Sequence, residues 1–223
     1  MARLGLIKKR MSSFCAAYEQ GLGDVLCFAS MLPDACKRAD IIVETMPKLK
    51  GLIQRSFPEV KVYDTFTQRG VTWDIADQKI DASLPIGQCA EFLRLKDSDF
   101  PKTPYLIPDP DRSYMWQSLF KRKGKPVIGI AWSGGVPKTG SQYRRTTLDD
   151  WLPLFKRIDA HWVCLEYKSA EKEIASFRRI YPEIDLVEYP HATLTKDYDD
   201  TAAMVSALDA VITVPTAIMH LAG

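Results

Sequence analysis

Short apolar runs rich in β-branched residues alternate with amphipathic stretches along almost the whole 223-residue chain. That alternation predicts strands joined by helical crossovers, the signature of the α/β class. The first series comprises a strand at 12–18, a helix from Leu22 to Met31 stopped by Pro33, a strand at 39–44, a helix opened by Pro47 and a strand at 60–64. Residues 65–112 are loop-rich, with one short helix expected around Gln88 to Leu95. A helix over 111–125, ending at Gly124, marks the boundary; its Lys121, Arg122, Lys123 and Lys125 read as a solvated helix end, with a binding patch as the alternative. The second series has strands at 126–132, 161–167, 184–189 and 209–214, with helices at 148–158, 169–180, 199–208 and one entered at Pro215. The expected division is an N-terminal domain over 1–112, a linker helix over 113–125 and a C-terminal domain over 126–223. The last helix has room for only about two turns, so the second domain is expected to be incomplete at its C-terminus.

A composition of 46% hydrophobic and 26% charged residues is that of a soluble globular protein. The net charge of +2 gives no electrostatic footprint for nucleic acid. The five cysteines contain no C-x-x-C pair, so they read as reduced core residues rather than zinc ligands or a disulfide framework. No window reaches the ~20 apolar residues of a membrane span, and the basic N-terminus has no signal-peptide core. A cytoplasmic protein is expected, with peripheral membrane contact left open.

Three segments carry chemistry. "QGLGDVLCF" follows a strand and opens a helix, with Glu44 about 20 positions on. A dinucleotide fingerprint has that layout, but Leu26 occupies the place of its third glycine and Asp24 sits where pyrophosphate would bind. Asp24 is then either a helix cap, satisfying first-turn amides, or a general base at the carboxyl end of a parallel strand. "SGGVPKTGSQYRR" brings Lys138, Arg144 and Arg145 together with the hydroxyls of Ser133, Thr139 and Ser141 in a glycine loop that could close on a diphosphate. A solvated loop is the alternative. In "VPTAIMHLAG" a strand feeds a helix, so the amides of Thr216 and Ala217 would face an anion, and Thr216 and His220 share a helix face. A structural histidine is the alternative there.

Taken in order, "EQGLGDVL", "LPIGQCAEFL", "IGIAWSGG…RRTTLDDWLPLF", "VCLE" and "DDTAAMVSALDAVITVPTAIMHLAG" resemble glycosyltransferase family 9, the heptosyltransferase-like enzymes and related domains that follow tetratricopeptide repeats. The resemblance spans the chain from Gln20 onward. It implies a GT-B-like α/β architecture of two Rossmann-like domains with parallel sheets, the acceptor bound mainly by the first and a nucleotide-sugar donor by the second. Asp24 matches the family's proposed base, with Gly21 and Gly23 turning the backbone close to the acceptor. Arg144 or Arg145 matches the basic residue that stabilises the leaving diphosphate, beside Ser133 and Gly134. Thr216, Ala217 and His220 match the phosphate-binding helix start, and Glu166 and Glu171 lie near the family's ribose contact, with a helix cap and a surface position as the alternatives. No metal and no cofactor beyond the donor substrate are implied. Pro215 departs from the family, which usually has aspartate there.

The resulting expectation is an inverting, metal-independent glycosyltransferase acting on a glycan, lipid-linked glycan or protein acceptor in surface-glycan or lipopolysaccharide-like assembly. A non-catalytic nucleotide- or glycan-binding module of the same fold is the alternative, and a nicotinamide oxidoreductase stands well behind both.

Overall fold

The computed structural model describes residues 13–17, 21–64, 80–135 and 140–223; for 13–17 and Ser141 only the backbone is described. The chain forms two compact units, Met1–Ile107 and Pro108–Gly223.

The first unit contains β1 (Ser13–Ala17), α1 (Leu22–Ala29), α2 (Leu32–Cys36), β2 (Asp40–Glu44), α3 (Lys50–Ser56), β3 (Lys61–Tyr63), β4 (Ala82–Pro85) and α4 (Ala90–Leu93). Its sheet has the order β3-β2-β1-β4, all parallel, with Phe14 opposite both Ile41 and Ala82. Ile41 to Glu44 are all buried, as a parallel strand covered on both faces must be. Val25, Leu26 and Ala29 of α1 and Leu52 and Ile53 of α3 complete the core.

Prolines cut the expected helices into shorter pieces. Instead of merely stopping a helix, Pro33 stands in the first turn of α2, where its missing N–H costs nothing. The stretch at 148–158 divides likewise into a 3-10 turn at Leu148–Trp151 and a helix that carries Pro153 in its first turn. The strand β4 lay unseen within the loop-rich stretch, being four residues long and ending in proline; at a sheet edge that proline interrupts no ladder.

The second unit begins with α5 (Pro110–Lys121) and continues through β5 (Val127–Ala131), α6 (Leu152–Phe155), β6 (His161–Cys164), α7 (Glu171–Ile180) and β7 (Leu186–Glu188). It ends with α8 (Pro190–Thr193), α9 (Tyr198–Ser206), β8 (Ala210–Thr213) and α10 (Ala217–Ala222). The sheet order is β7-β6-β5-β8, again all parallel. Alternate strand residues feed two core layers. Ile128, Ile130, Trp162 and Cys164 pack with Phe155, Ile174 and Phe177 on one face. Val127, Ala131, Val163 and Leu165 pack with Trp116, Phe120, Ala203 and Met204 on the other. The helix read as a linker is therefore part of this unit's core, and Arg112 ties it to α9 through Asp197 at 2.7 Å and Asp200 at 2.8 Å.

Cys27, Cys36, Cys89 and Cys164 are free thiols, and burial pushes Cys36 up to about 11. Cys164 is fully buried, whereas Cys27 and Cys36 are only half-buried.

At the N-terminal end of the second sheet, His161 opens β6 with its side chain fully buried. Its Nδ1 lies 2.9 Å from Asp185 Oδ2 and its Nε2 3.0 Å from the Tyr189 hydroxyl. With the proton on Nδ1, the ring donates to Asp185 and accepts from Tyr189. Burial raises the Asp185 carboxyl, but bonds from His161 and Lys125 outweigh it and hold the group below the ordinary aspartate range. His161→Ala should lower the melting midpoint of this unit by about 10 °C, from about 3 kcal/mol of lost hydrogen bonding and new cavity. Asp185 contributes stability above the ordinary aspartate pKa, and this is lost as pH falls through its lowered folded value. The deficit of the variant should therefore shrink in strong acid. Scanning calorimetry reads both effects, and equal midpoints at neutral pH would mean that the network is dispensable.

Candidate functional site

In both sheets the chain steps outward from the middle strand to one side, then returns to pair on the other side. The strand order thus reverses between β1 and β4, and again between β5 and β8. Crevices at the carboxyl ends of strands at such reversals are where open parallel sheets hold ligands.

At the reversal in the second unit, Ser133 and Gly134 follow β5 while Pro215 and Thr216 follow β8. A Cβ at Gly134 would lie 2.2 Å from Thr216 Cγ2 and 3.3 Å from the Pro215 carbonyl oxygen. Only glycine permits this approach of the two turns. The two segments that carry the glycine loop and the strand-to-helix turn are thereby in contact, although 82 positions separate Gly134 from Thr216. Thr216 caps α10, its hydroxyl accepting from the Ile218 amide at 3.2 Å and lying 3.4 Å from the Thr213 hydroxyl. Pro215 stands one residue outside the cap rather than in the first helical turn. The amides of Gly134 and Ala217 make no hydrogen bond with the described residues.

Trp132, 1% exposed, anchors both ends of the loop. Its carbonyl accepts from the Thr146 amide at 2.8 Å and from the Thr146 hydroxyl at 3.2 Å, and Trp151 Nε1 donates to that hydroxyl at 2.7 Å. Glu166 Oε1 accepts from the amides of Trp132 and Ser133, each at 2.7 Å, and Oε2 accepts from the Ser133 hydroxyl. Burial pushes the Glu166 carboxyl above the ordinary range, with Glu173 adding to it, while the bonds from Ser133 and Trp132 pull it down.

Glu166, expected near the ribose contact, is 3% exposed, and both its oxygens are engaged by Trp132 and Ser133 of the loop. Glu171 is exposed in the first turn of α7, a favourable place for a carboxylate at the positive helix end. Arg145 is exposed, Arg144 is half-buried and partnered, and His220 is half-buried on α10. Lys138 and Thr139 lie outside the described residues, as does the Ser141 side chain. One contributor escaped the sequence reading altogether. Tyr167 donates from its hydroxyl to the Gly135 carbonyl at 2.8 Å, and its only signal was an aromatic residue just beyond a strand end.

In the first unit Asp24 is the third residue of α1, and its Oδ2 accepts from the Gly21 amide at 2.7 Å. This is half of a capping box, since glycine has no side chain to return the bond. Gly21 is the N-cap in an extended conformation and Gly23 lies inside the helix, so the tight turn expected of the pair is a helix entry. Oδ1 of Asp24 makes no hydrogen bond among the described residues.

Two nearby folds settle what the architecture is. ADP-heptose lipopolysaccharide heptosyltransferase II of E. coli superposes with a TM-score of 0.63 at 13% identity, over 95% of this chain and 81% of its own. A family 9 glycosyl transferase from Veillonella parvula gives 0.62 at 12% identity, over 95% and 78%. The chain has the heptosyltransferase fold. A third such structure, E. coli heptosyltransferase WaaC with ADP, gives 0.52 at 12% identity over 94% and 83%. In sequence, Protein FlbA of Caulobacter vibrioides is 29% identical over 92% of this chain. The chain spans 36% of the length of that curated relative. No family model matches the chain. Among the described residues no helix is long and apolar enough to cross a membrane.

Proposed function

We propose that this heptosyltransferase-fold chain binds a nucleoside-diphosphate sugar at the β5/β8 reversal and transfers the sugar to a hydroxyl acceptor with inversion. The observation that carries the reading is the close approach of Gly134 to Thr216, beside which the Gly134 and Ala217 amides have no partner among the described residues. Such amides receive phosphate oxygens without a metal. Arg144 and Arg145 sit on the same loop and would offset the charge that develops on the leaving diphosphate. Asp24 would take the proton of the acceptor hydroxyl, whose oxygen bonds the anomeric carbon as the bond to the diphosphate breaks, inverting that carbon. Transfer to a glycan, lipid-linked glycan or protein acceptor from the cytoplasmic side belongs to the same reading, with no cofactor besides the donor.

A non-catalytic nucleotide-binding module is favoured by two observations. Pro215 brings no carboxylate to the turn, and one Asp24 oxygen is committed to the cap. Calorimetric titration with ADP, UDP and GDP tests the part that both readings share. One of the three is expected to bind at a single site with a Kd of about 1 μM to 1 mM, the range in which enzymes commonly hold substrates. Absence of heat with all three in the full chain would remove both readings.

A further inference from the structure

Beyond the end of β6 the chain presents two consecutive side chains to opposite sides. Glu166 turns inward and is buried, while Tyr167 turns outward and is 47% exposed. Between them they reach three residues of one loop, Trp132, Ser133 and Gly135. Glu166 takes the Trp132 and Ser133 amides and the Ser133 hydroxyl; Tyr167 gives its hydroxyl proton to the Gly135 carbonyl. Gly135 has φ of +76°, a left-handed conformation that only a glycine adopts readily, so its carbonyl direction needs a partner to fix it. The Tyr167 ring is itself steadied by Lys168, whose ammonium lies 5.2 Å from the ring centre. Between these two grips stands Gly134, whose amide is unspent among the described residues.

We propose that Glu166 and Tyr167 are a pair of positioning residues that clamp Ser133–Gly135 from below and from outside, and so hold the Gly134 amide ready for a phosphate oxygen. Neither need touch the ligand. The identity of the ligand rests on the nucleotide reading above, whereas the clamp itself does not.

The isosteric variant Glu166→Gln separates shape from mere bulk. Its Oε1 can accept both amides and its Nε2 can donate to the Ser133 oxygen, so it should bind ADP within about twofold of the parent. Glu166→Ala leaves two amides and a hydroxyl without their acceptor and should weaken ADP binding by at least about tenfold. Tyr167→Phe removes only an exposed hydroxyl, so folding should be intact, yet ADP affinity should fall by about three- to tenfold. Hydrogen exchange over residues 132–135 supplies a readout that needs no ligand. It should accelerate at least about tenfold in Glu166→Ala and stay near the parent rate in Glu166→Gln.

Parent-like exchange in Glu166→Ala together with parent-like affinity in Tyr167→Phe would overturn the clamp. So would Glu166→Gln failing as fully as Glu166→Ala. If the parent binds no nucleotide at all, the proposed function falls, and the exchange rates alone decide the clamp.

Discussion

Asp24→Asn is expected to lower sugar transfer by about 100- to 10,000-fold while nucleoside-diphosphate affinity stays as it was. The substitution is informative because Asn keeps an oxygen that can accept from the Gly21 amide, 2.7 Å from Oδ2 in the parent. The cap therefore survives and only the capacity to take a proton is lost. Asp24→Ala removes both, and should add to the loss of turnover a destabilisation of about 1 kcal/mol. The two variants thus divide the roles: thermal melting reports the cap, and turnover with a hydroxyl acceptor reports the base. Full turnover in Asp24→Asn would reduce the aspartate to a structural element and take the role of base from it, whereas a parent that binds nucleotide but transfers no sugar would leave the binding module as the surviving reading.

Gly134→Ala carries the second large effect. The added methyl would stand 2.2 Å from Thr216 Cγ2, so the two turns must part by more than an ångström. Overpacking of this kind costs about 1–3 kcal/mol, equivalent to a melting point lower by about 5 °C. If the shift separates the Gly134 and Ala217 amides, nucleoside-diphosphate affinity should fall by about 10- to 100-fold. Thr216→Ser deletes the clashing methyl and keeps the capping hydroxyl. The double variant Gly134→Ala/Thr216→Ser should recover most of both losses, as neighbours in contact do in a double-mutant cycle. Additive losses in the double variant would mean that the two turns do not meet.

Local pattern revealed much of the fold and little of the site. The strands around Ile42, Ile130 and Val163 were legible because buried parallel strands are continuous apolar runs, and the glycine turns punctuate them. Helix lengths were overestimated around Pro33 and Pro153, since periodicity does not show where proline restarts a helix in a new first turn, as it was expected to do only at Pro47. The short strand ending at Pro85 offered too few residues to register. At the site, Ser133, Gly134 and Thr216 were each named from their motifs. Their meeting was not readable, because it follows from β5 pairing with β8 rather than from any spacing along the chain. The bonds of Glu166 were hidden for a similar reason: a carboxylate at a strand end looks alike in sequence whether it is open or turned back to two amides of a neighbouring loop. Asp24 was open to two readings at the outset. The observed bond to Gly21 establishes the cap and leaves the base to turnover measurements.

The way Trp132 holds its loop bears on how such a protein can change. Its N–H is taken by Glu166 and its C=O by Thr146, so one buried residue fixes both the exit at Ser133 and the return at Thr146. Under the proposed function, substitutions on the exposed return of the loop, as at Arg145, would change what the site accepts while the sheet beneath stays as it is. The loop would in this sense be an exchangeable cartridge, set on a frame that stays the same.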